Sequence, residues 1–316
     1  MLIVLLIFCL IFGIFVIVKS GDLLIDSSLN ISECTGLSQQ FIGATLLSFA
    51  TTAPELFVSC IASSRGSSQI CINNGMGSII CNIGLVSAIS LIALNQQVKK
   101  KEFNYKAYFL LFSFVLLFIF SLNSAVSKAE AIMLLIIYIV FLVTNIMNIK
   151  SDMRFINKTK INTKQLSYSI LLFIVGAVGV ALSANLLVTC AQKLATQLNI
   201  SEGIIAVTVL ALGTALPELV ATLTAIRKKT LNMALGNIIG ANVMNCTLLV
   251  GLSTLFSESQ LILDTKTKFI TIPFCILFNV ILTIPILIRQ KTFKIQGFML
   301  LFTFFVYYFL IFILKI

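Results

Sequence analysis

The sequence contains no histidine and no tryptophan, and only 10% of its residues are charged. Without histidine, no imidazole can serve as a general base, a metal ligand or a proton relay. Eight cysteines lie mostly in apolar runs and form no Cys-x-x-Cys pair, so we expect small, buried apolar side chains. There is also no nucleotide-binding loop and no polar segment long enough to form a soluble catalytic domain. These absences argue against an enzyme.

Hydrophobic residues make up 59% of the 316 residues, and the mean hydropathy is +1.09. A soluble protein of this size cannot bury so much apolar surface, so the composition indicates a membrane protein. A membrane-spanning helix needs about 20 mostly apolar residues. Ten segments meet this requirement: 1–18, 41–63, 71–94, 107–123, 125–148, 167–190, 203–226, 232–256, 269–288 and 296–314. The predicted fold class is an all-α polytopic membrane protein with ten transmembrane helices.

The net charge of +11 is distributed unevenly between the two sides of the predicted membrane protein. With ten spans, sixteen of the 22 basic residues fall on one side and six on the other. This bias is typical of cytoplasmic loops and predicts that both termini lie outside. The basic charge therefore indicates orientation in a lipid bilayer rather than a nucleic-acid partner. No obligate protein partner is evident from the sequence.

The two halves of the chain repeat each other at an offset of 163 residues. Thr51-Thr52-Ala53-Pro54-Glu55 aligns with Thr214-Ala215-Leu216-Pro217-Glu218, and no gap is needed from about residue 13 to residue 90. We predict a first five-helix repeat over 1–149, a basic cytoplasmic linker over 150–166, and a second repeat over 167–316. An odd number of spans inverts the second repeat, which is an architecture typical of transporters.

Glu55 and Glu218 are the only two of the eleven acidic residues that the ten-span prediction puts in the middle of a span. A charge at the bilayer centre costs about 2.5–3.5 kcal/mol. Two neighbouring carboxylates also repel each other unless a cation or a proton lies between them. A duplicated, buried ion site is the simplest reason for this pair.

Polar residues extend the pattern along four of the predicted helices. Residues four positions apart share one helix face. They form the stripes Thr51, Glu55, Ser59; Thr214, Glu218, Thr222; Asn74, Ser78, Asn82; and Asn237, Ala241, Asn245. Pro54 and Pro217 lack an N–H group and so free the carbonyl groups of Ala50 and Gly213. The pattern predicts a converging set of oxygen ligands, which suits a hard cation such as calcium.

These segments resemble the α-repeats of the cation/calcium antiporter superfamily, most closely its sodium/calcium exchanger branch. The resemblance rests on two pairs of segments. In the first half they are Gly43 to Glu55 and Gly77-Ser78-Ile79-Ile80-Cys81-Asn82-Ile83-Gly84-Leu85-Val86. In the second half they are Leu212-Gly213-Thr214-Ala215-Leu216-Pro217-Glu218 and Gly236-Asn237-Ile238-Ile239-Gly240-Ala241-Asn242-Val243-Met244-Asn245.

The resemblance implies an antiporter that moves calcium against sodium by alternating access, with the first and sixth spans sliding on a fixed core. It implies that Glu55 and Glu218 are shared by the calcium and sodium sites. The other implied site residues are Thr51 and Thr214, the backbone carbonyls near Ser48 and Ala211, Thr52 and Ser78 at flanking sodium sites, and Asn82 and Asn245 at the centre. No cofactor is implied besides the transported Ca²⁺ and Na⁺. The expected location is a bacterial or archaeal plasma membrane.

The sequence departs from the family pattern at several positions. Alanine replaces the family's usual serine at Ala215 and Ala241, and Thr52 replaces a serine. Asn245 replaces the aspartate of potassium-dependent relatives, which argues against potassium co-transport. The two missing hydroxyl groups leave the sodium coupling open. A proton/divalent-cation exchanger and, from another class, a cation channel remain as alternatives.

Overall fold

The computed structural model describes residues 2–93, 97–153, 163–197, 213 and 215–313. The helices in this part of the chain are α1 (Leu2–Thr35), α2 (Gln39–Ser64), α3 (Ser68–Ala93), α4 (Lys100–Ser121), α5 (Lys128–Met153), α6 (Thr163–Gln197), α7 (Leu216–Arg227), α8 (Leu231–Phe256), α9 (Thr267–Arg289) and α10 (Lys294–Ile313). Within the described residues, nine of them, all but α7, are long and apolar enough to cross a membrane. The predicted all-α polytopic membrane fold is confirmed.

The helices that open the two halves are longer than predicted. The first predicted span was 1–18, yet α1 continues to Thr35, and α6 likewise extends beyond the predicted 167–190 at both ends. Asp22 and Asp26, which follow the predicted first span, therefore lie inside α1. Serines in this stretch donate hydrogen bonds to carbonyl groups one turn earlier, as Ser28 does to Leu24, so these hydroxyl groups are satisfied within the helix.

The two motif prolines occupy different places in their helices. Pro54 lies inside α2, as predicted. Pro217 lies in the first turn of α7, which begins at Leu216 after a turn at Ala215. Proline is well tolerated in a first turn because the N–H groups there have no helical acceptor. Residues 203–212 and Thr214 of the predicted span 203–226 lie outside the described residues.

Helices α1 and α6 pack against each other along their length and form what we call the α1–α6 pair. Their contact is close because glycines lie in it. A Cβ atom at Gly176 would lie only 2.7 Å from the backbone nitrogen of Leu24. The opposite faces of the pair carry exposed apolar side chains such as Phe12, Phe15 and Leu182. Exposed apolar side chains are expected on the outer side of a helix pair that faces lipid.

Helices α2, α3, α4, α5 and α7 pack around α8, of which every residue from Met233 to Thr247 is buried. Helix α2 lies directly on α8, and glycines again make the approach possible. A Cβ atom at Gly43 would lie 2.3 Å from the carbonyl oxygen of Met233, and one at Gly236 would lie 2.4 Å from that of Gln40. Glycines let membrane helices approach each other closely, and they do so at this contact.

Four short segments of π-helix interrupt the α-helical hydrogen bonding of the described helices. They cover Gly43–Leu47 in α2, Asn82–Ser87 in α3, Asn245–Leu249 in α8 and Thr267–Thr271 in α9. The segments in α3 and α8 begin at Asn82 and Asn245, which are equivalent positions of the two repeats. Single π turns inside α-helices are often found at functional sites.

Two backbone pairings join the halves on opposite faces of the molecule. Strand β1 (Ala125–Val126), between α4 and α5, pairs antiparallel with β2 (Leu261–Ile262), between α8 and α9. Gln97, between α3 and α4, pairs with Lys291, between α9 and α10. The 163-residue offset relates the second pairing to the first within a few residues. Equivalent connections of the two halves are thus on opposite faces, which is the geometry of inverted repeats.

Candidate ion-binding site

Glu55 and Glu218 lie between the two halves and are almost completely buried, with exposed fractions of 4% and 1%. Glu55 is in the middle of α2, and Glu218 is in the first turn of α7. The Ser78 hydroxyl donates to Oε1 of Glu55 at 3.0 Å, and the Thr52 hydroxyl donates to Oε1 of Glu218 at 2.9 Å. The second of these bonds links the first repeat to the acid of the second repeat.

Ser78 connects the carboxylates to the two asparagines that begin the π segments. Its Oγ atom accepts from Nδ2 of Asn245 at 3.2 Å and, more weakly, from Nδ2 of Asn82 at 3.5 Å. The hydroxyl therefore receives amide hydrogens from both halves and passes its own hydrogen to Glu55. Because both amide groups point their nitrogens at Ser78, their carbonyl oxygens are left for other partners.

Four oxygen atoms of this cluster are buried and have no hydrogen-bond partner. They are Oε2 of Glu55, Oε2 of Glu218, and Oδ1 of Asn82 and of Asn245. A buried polar atom without a partner costs about 1–3 kcal/mol, and more when it is charged. Carboxylate and amide oxygens are the ligands that calcium and sodium prefer. The cluster thus has the composition of a cation site.

The other predicted site residues lie along the same face of α2 or outside the described part of the chain. Thr51 lies beside the Glu218 carboxylate, and its hydroxyl donates to the backbone carbonyl of Ser48 at 3.3 Å. Thr214 and Ala211 are outside the described residues. The structure brings together the predicted site residues that it describes, and in this part of the chain no group of three or more acidic or cysteine side chains is formed.

A groove of about 290 Å³ opens from Glu55 toward the Ser64 end of α2, and we call this face of the molecule the groove side. The described residues that line the groove are Pro54, Glu55, Val58, Asn74, Ala181, Ala184, Asn185, Val188, Gly213 and Pro217. They belong to α2, α3, the second half of α6 and the segment that leads into α7. The groove therefore extends from the buried Glu55 to exposed side chains such as Val58 and Asn185.

The groove includes two polar residues, Asn74 and Asn185, that are not among the site residues implied by the family resemblance. Asn74 donates from Nδ2 to the carbonyl oxygen of Glu55 at 3.2 Å and to Oγ of Ser59 at 2.9 Å. Its repeat counterpart Asn237 has no partner for either amide atom, and neither has the hydroxyl of Thr222. The stripe of Asn74 with Ser78 and Asn82 was the signal for this residue. Asn185 was not singled out, although Thr189 follows it one turn later in α6 and donates to its side-chain oxygen at 3.4 Å.

The two alanines that depart from the family pattern remove one hydroxyl donor from each carboxylate. Ala215 is the repeat counterpart of Thr52, and Ala241 is the counterpart of Ser78. Both are buried, with exposed fractions of 3% and 0%. As a result Glu55 lacks a counterpart of the Thr52 bond, and Glu218 lacks a counterpart of the Ser78 bond. What remains is the Ser78 hydroxyl, which donates to Glu55, and the Thr52 hydroxyl, which donates to Glu218.

Comparisons with known proteins agree with this geometry. A family model described as sodium/calcium exchanger protein matches residues 5–147 and 168–313. An uncharacterized membrane protein of Methanocaldococcus jannaschii is 32% identical over 77% of this chain and 80% of its own length. The sodium/calcium exchanger MaX1 of Methanosarcina acetivorans is 28% identical over 87% of this chain and 89% of its own length. A solved structure of the sodium-calcium exchanger NCX_Mj superposes with a TM-score of 0.85 at 27% identity, covering 96% and 98% of the two chains.

Proposed function

Because the chain belongs to the sodium/calcium exchanger family, we propose that it exchanges sodium for calcium across a membrane at a site formed by Glu55 and Glu218. One observation carries the proposal. Each half contributes a buried carboxylate with one unpartnered oxygen, and Thr52 links the halves at this point. Two uncompensated buried charges favour occupation by a cation.

The oxygen atoms around the two acids support calcium as one of the transported ions. Calcium takes about 6–8 oxygen ligands. The unpartnered oxygens of Glu55, Glu218, Asn82 and Asn245 supply four. The hydroxyl groups of Thr51, Thr52 and Ser78, together with the Ser48 carbonyl, are the further ligands that we propose. Thr214 and the Ala211 carbonyl would serve in the second repeat, as the family resemblance implies.

Coupling follows from the cost of the empty site. Without a cation, two carboxylates would face each other in a low-dielectric interior, which is unfavourable by several kcal/mol. We propose that the conformational change therefore takes place with calcium bound or with sodium bound, and seldom with neither. One pair of acids that serves either ion makes the exchange obligatory.

Alternating access is assigned to the α1–α6 pair. The two helices of the pair pack on each other through glycines, and their outer side carries exposed apolar residues that would face lipid. The pair can therefore move as one body against the core. The groove beside α6 gives Glu55 a path to the groove side. Because the basic connections lie on the opposite face, the groove side would be the outside of the cell, in a bacterial or archaeal plasma membrane.

The test is radiolabelled calcium uptake into proteoliposomes. Vesicles loaded with sodium and diluted into potassium are expected to accumulate calcium, whereas vesicles with potassium on both sides are not. Uptake driven only by an acid interior would support a proton/divalent-cation exchanger instead. Calcium uptake that depends on neither the sodium gradient nor the proton gradient would indicate a channel and would contradict the proposal.

The proton-coupled alternative has one specific observation in its favour, which is the loss of a hydroxyl donor at each carboxylate. Restoring the hydroxyls with Ala215→Ser and Ala241→Ser is expected to lower the sodium concentration for half-maximal exchange by about tenfold, since each adds an oxygen ligand. Proton-driven uptake should not increase. Sodium dependence is measured by calcium efflux, with Ala93→Ser in the last turn of α3 as the matched control. Unchanged sodium dependence would mean that positions 215 and 241 do not face the ions.

A further inference from the structure

Two carboxylates of α1 form ion pairs with the end of α7. Arg227 donates to Asp22, and Lys228 donates to Asp26. All four side chains are at least partly exposed to solvent. The pairs lie far along α1 and α7 from the proposed ion site and take no part in it. They join a helix of the α1–α6 pair to a helix of the core, at the face opposite the groove side.

The packing of the two helices is close at the same place. A Cβ atom at Gly21 would lie 2.6 Å from Cγ1 of Val220 and 3.1 Å from Oγ1 of Thr224. No path comparable to the groove can pass between α1 and α7 at this contact. The structure is therefore open beside Asn74 and Asn185 on the groove side, and closed by α1 on α7 at the other face.

The repeat relation shows that the ion pairs are confined to one face. The counterparts of Asp22 and Asp26 are Asn185 and Thr189, and the counterparts of Arg227 and Lys228 are Ser64 and Arg65. The groove side thus keeps one base, Arg65, and has no carboxylate at the matching positions of α6. Two halves with a common packing plan differ in the charges that would hold each face closed.

We propose that the pairs Asp22–Arg227 and Asp26–Lys228 form an ion-pair latch, in which the two aspartates are positioning residues that hold α1 on α7 and favour the conformation open to the groove side. This inference rests on the proposed function, because only an alternating-access carrier has two such conformations. An exposed ion pair changes an equilibrium by up to about fivefold. The apparent affinity for an ion at one face falls in proportion to the population open to that face. The latch would therefore weaken calcium binding at the face where it lies, which is opposite the groove side and which we call the latch face.

The first experiment measures half-saturating calcium separately at each face of sealed vesicles of determined orientation. In the double variant Asp22→Asn with Asp26→Asn, we expect the value at the latch face to fall by up to about fivefold for each pair. The value at the groove side is not expected to fall. In wild type, 1 M choline chloride should act in the same direction, because it screens exposed charges, and it should have little effect on the double variant.

Two further variants separate a latch from a merely structural role. Asp22→Arg combined with Arg227→Asp should restore the wild-type values, because the pair is re-formed with reversed charges. Thr189→Asp gives Arg65 a partner on the groove side and so favours closure there. It should lower the half-saturating calcium concentration at the latch face while both native pairs are intact. Thr189→Asn, which adds no charge, is its control. Equal changes at both faces, or no change in the double variant, would overturn the latch.

Amide hydrogen exchange distinguishes a failed latch from a failed transport proposal, because it requires no transported ion. Relative to wild type, the double variant should exchange faster in the peptide that covers residues 216–231 and more slowly in the peptide that covers residues 55–74. If the wild type does not transport calcium but these differences are present, the latch stands and the ion assignment fails. If the exchange rates of both peptides are unchanged, the latch is refuted whatever the ion.

Discussion

Glu55→Gln and Glu218→Gln are each expected to reduce sodium-dependent calcium uptake by at least about 100-fold. Loss of a partner outside the ligand shell already weakens metal sites by about 10–100-fold, and these variants remove a charged ligand itself. Each acid also has a buried oxygen with no hydrogen-bond partner in the protein, and glutamine would put a neutral amide there instead of a charge. Uptake into sodium-loaded proteoliposomes measures the loss.

Folding should survive both of these changes, since glutamine has the shape of glutamate and can still accept from Ser78 or Thr52. Thermal unfolding in detergent is expected to be unchanged or to occur at a higher temperature, because a buried, uncompensated charge is removed. Glu258→Gln is the matched control, because Glu258 is exposed between α8 and α9. Near wild-type uptake in either site variant would remove that acid from the proposed site.

Gly43→Ala is expected to destabilise the protein by about 3 kcal/mol, although it adds a single methyl group. The new Cβ atom would lie 2.3 Å from the carbonyl oxygen of Met233 and 2.9 Å from the backbone nitrogen of Asn237. Both are backbone atoms of α8, so the contact can be relieved only by moving one helix away from the other. Thermal unfolding in detergent, with the monodisperse fraction after extraction, measures this effect.

Leu46→Ala provides the control for this prediction. Leu46 lies in the same π segment, but its side chain is 42% exposed on the outer surface, where it would face lipid. Removing apolar atoms from a lipid-facing position leaves no cavity in the protein, so we expect little change in unfolding. Equal unfolding temperatures for Gly43→Ala and Leu46→Ala would show that α2 and α8 do not need their close approach.

The membrane fold was predictable because lipid imposes a simple rule on sequence, namely runs of about 20 apolar residues. Helix ends were less predictable where polar residues continue a helix. The first predicted span ended before Asp22 and Asp26, yet these acids lie inside α1 and pair with Arg227 and Lys228. The reason is tertiary, since bases from a distant segment meet these acids, and no local pattern reports that contact.

The burial of the two acids was also predictable, because a carboxylate inside an apolar run is costly and is therefore rare unless it has a function. The hydrogen bonds that converge on Ser78 were not predictable. They depend on the distance between α3 and α8, which bring Asn82 and Asn245 to one hydroxyl. The roles of these residues in ion binding remain predictions for the experiments above.

The two backbone pairings between connecting segments bear on how such a chain can be divided. Gln97 and Ala125 belong to the first half, and each is paired with a residue of the second half, Lys291 and Ile262. Neither half can form these pairings within itself. If the gene were cut at the connection between α5 and α6, each fragment would leave its connecting segments without partners on both faces of the bilayer. Activity should then return only when the two fragments are co-expressed and enter the membrane in opposite directions.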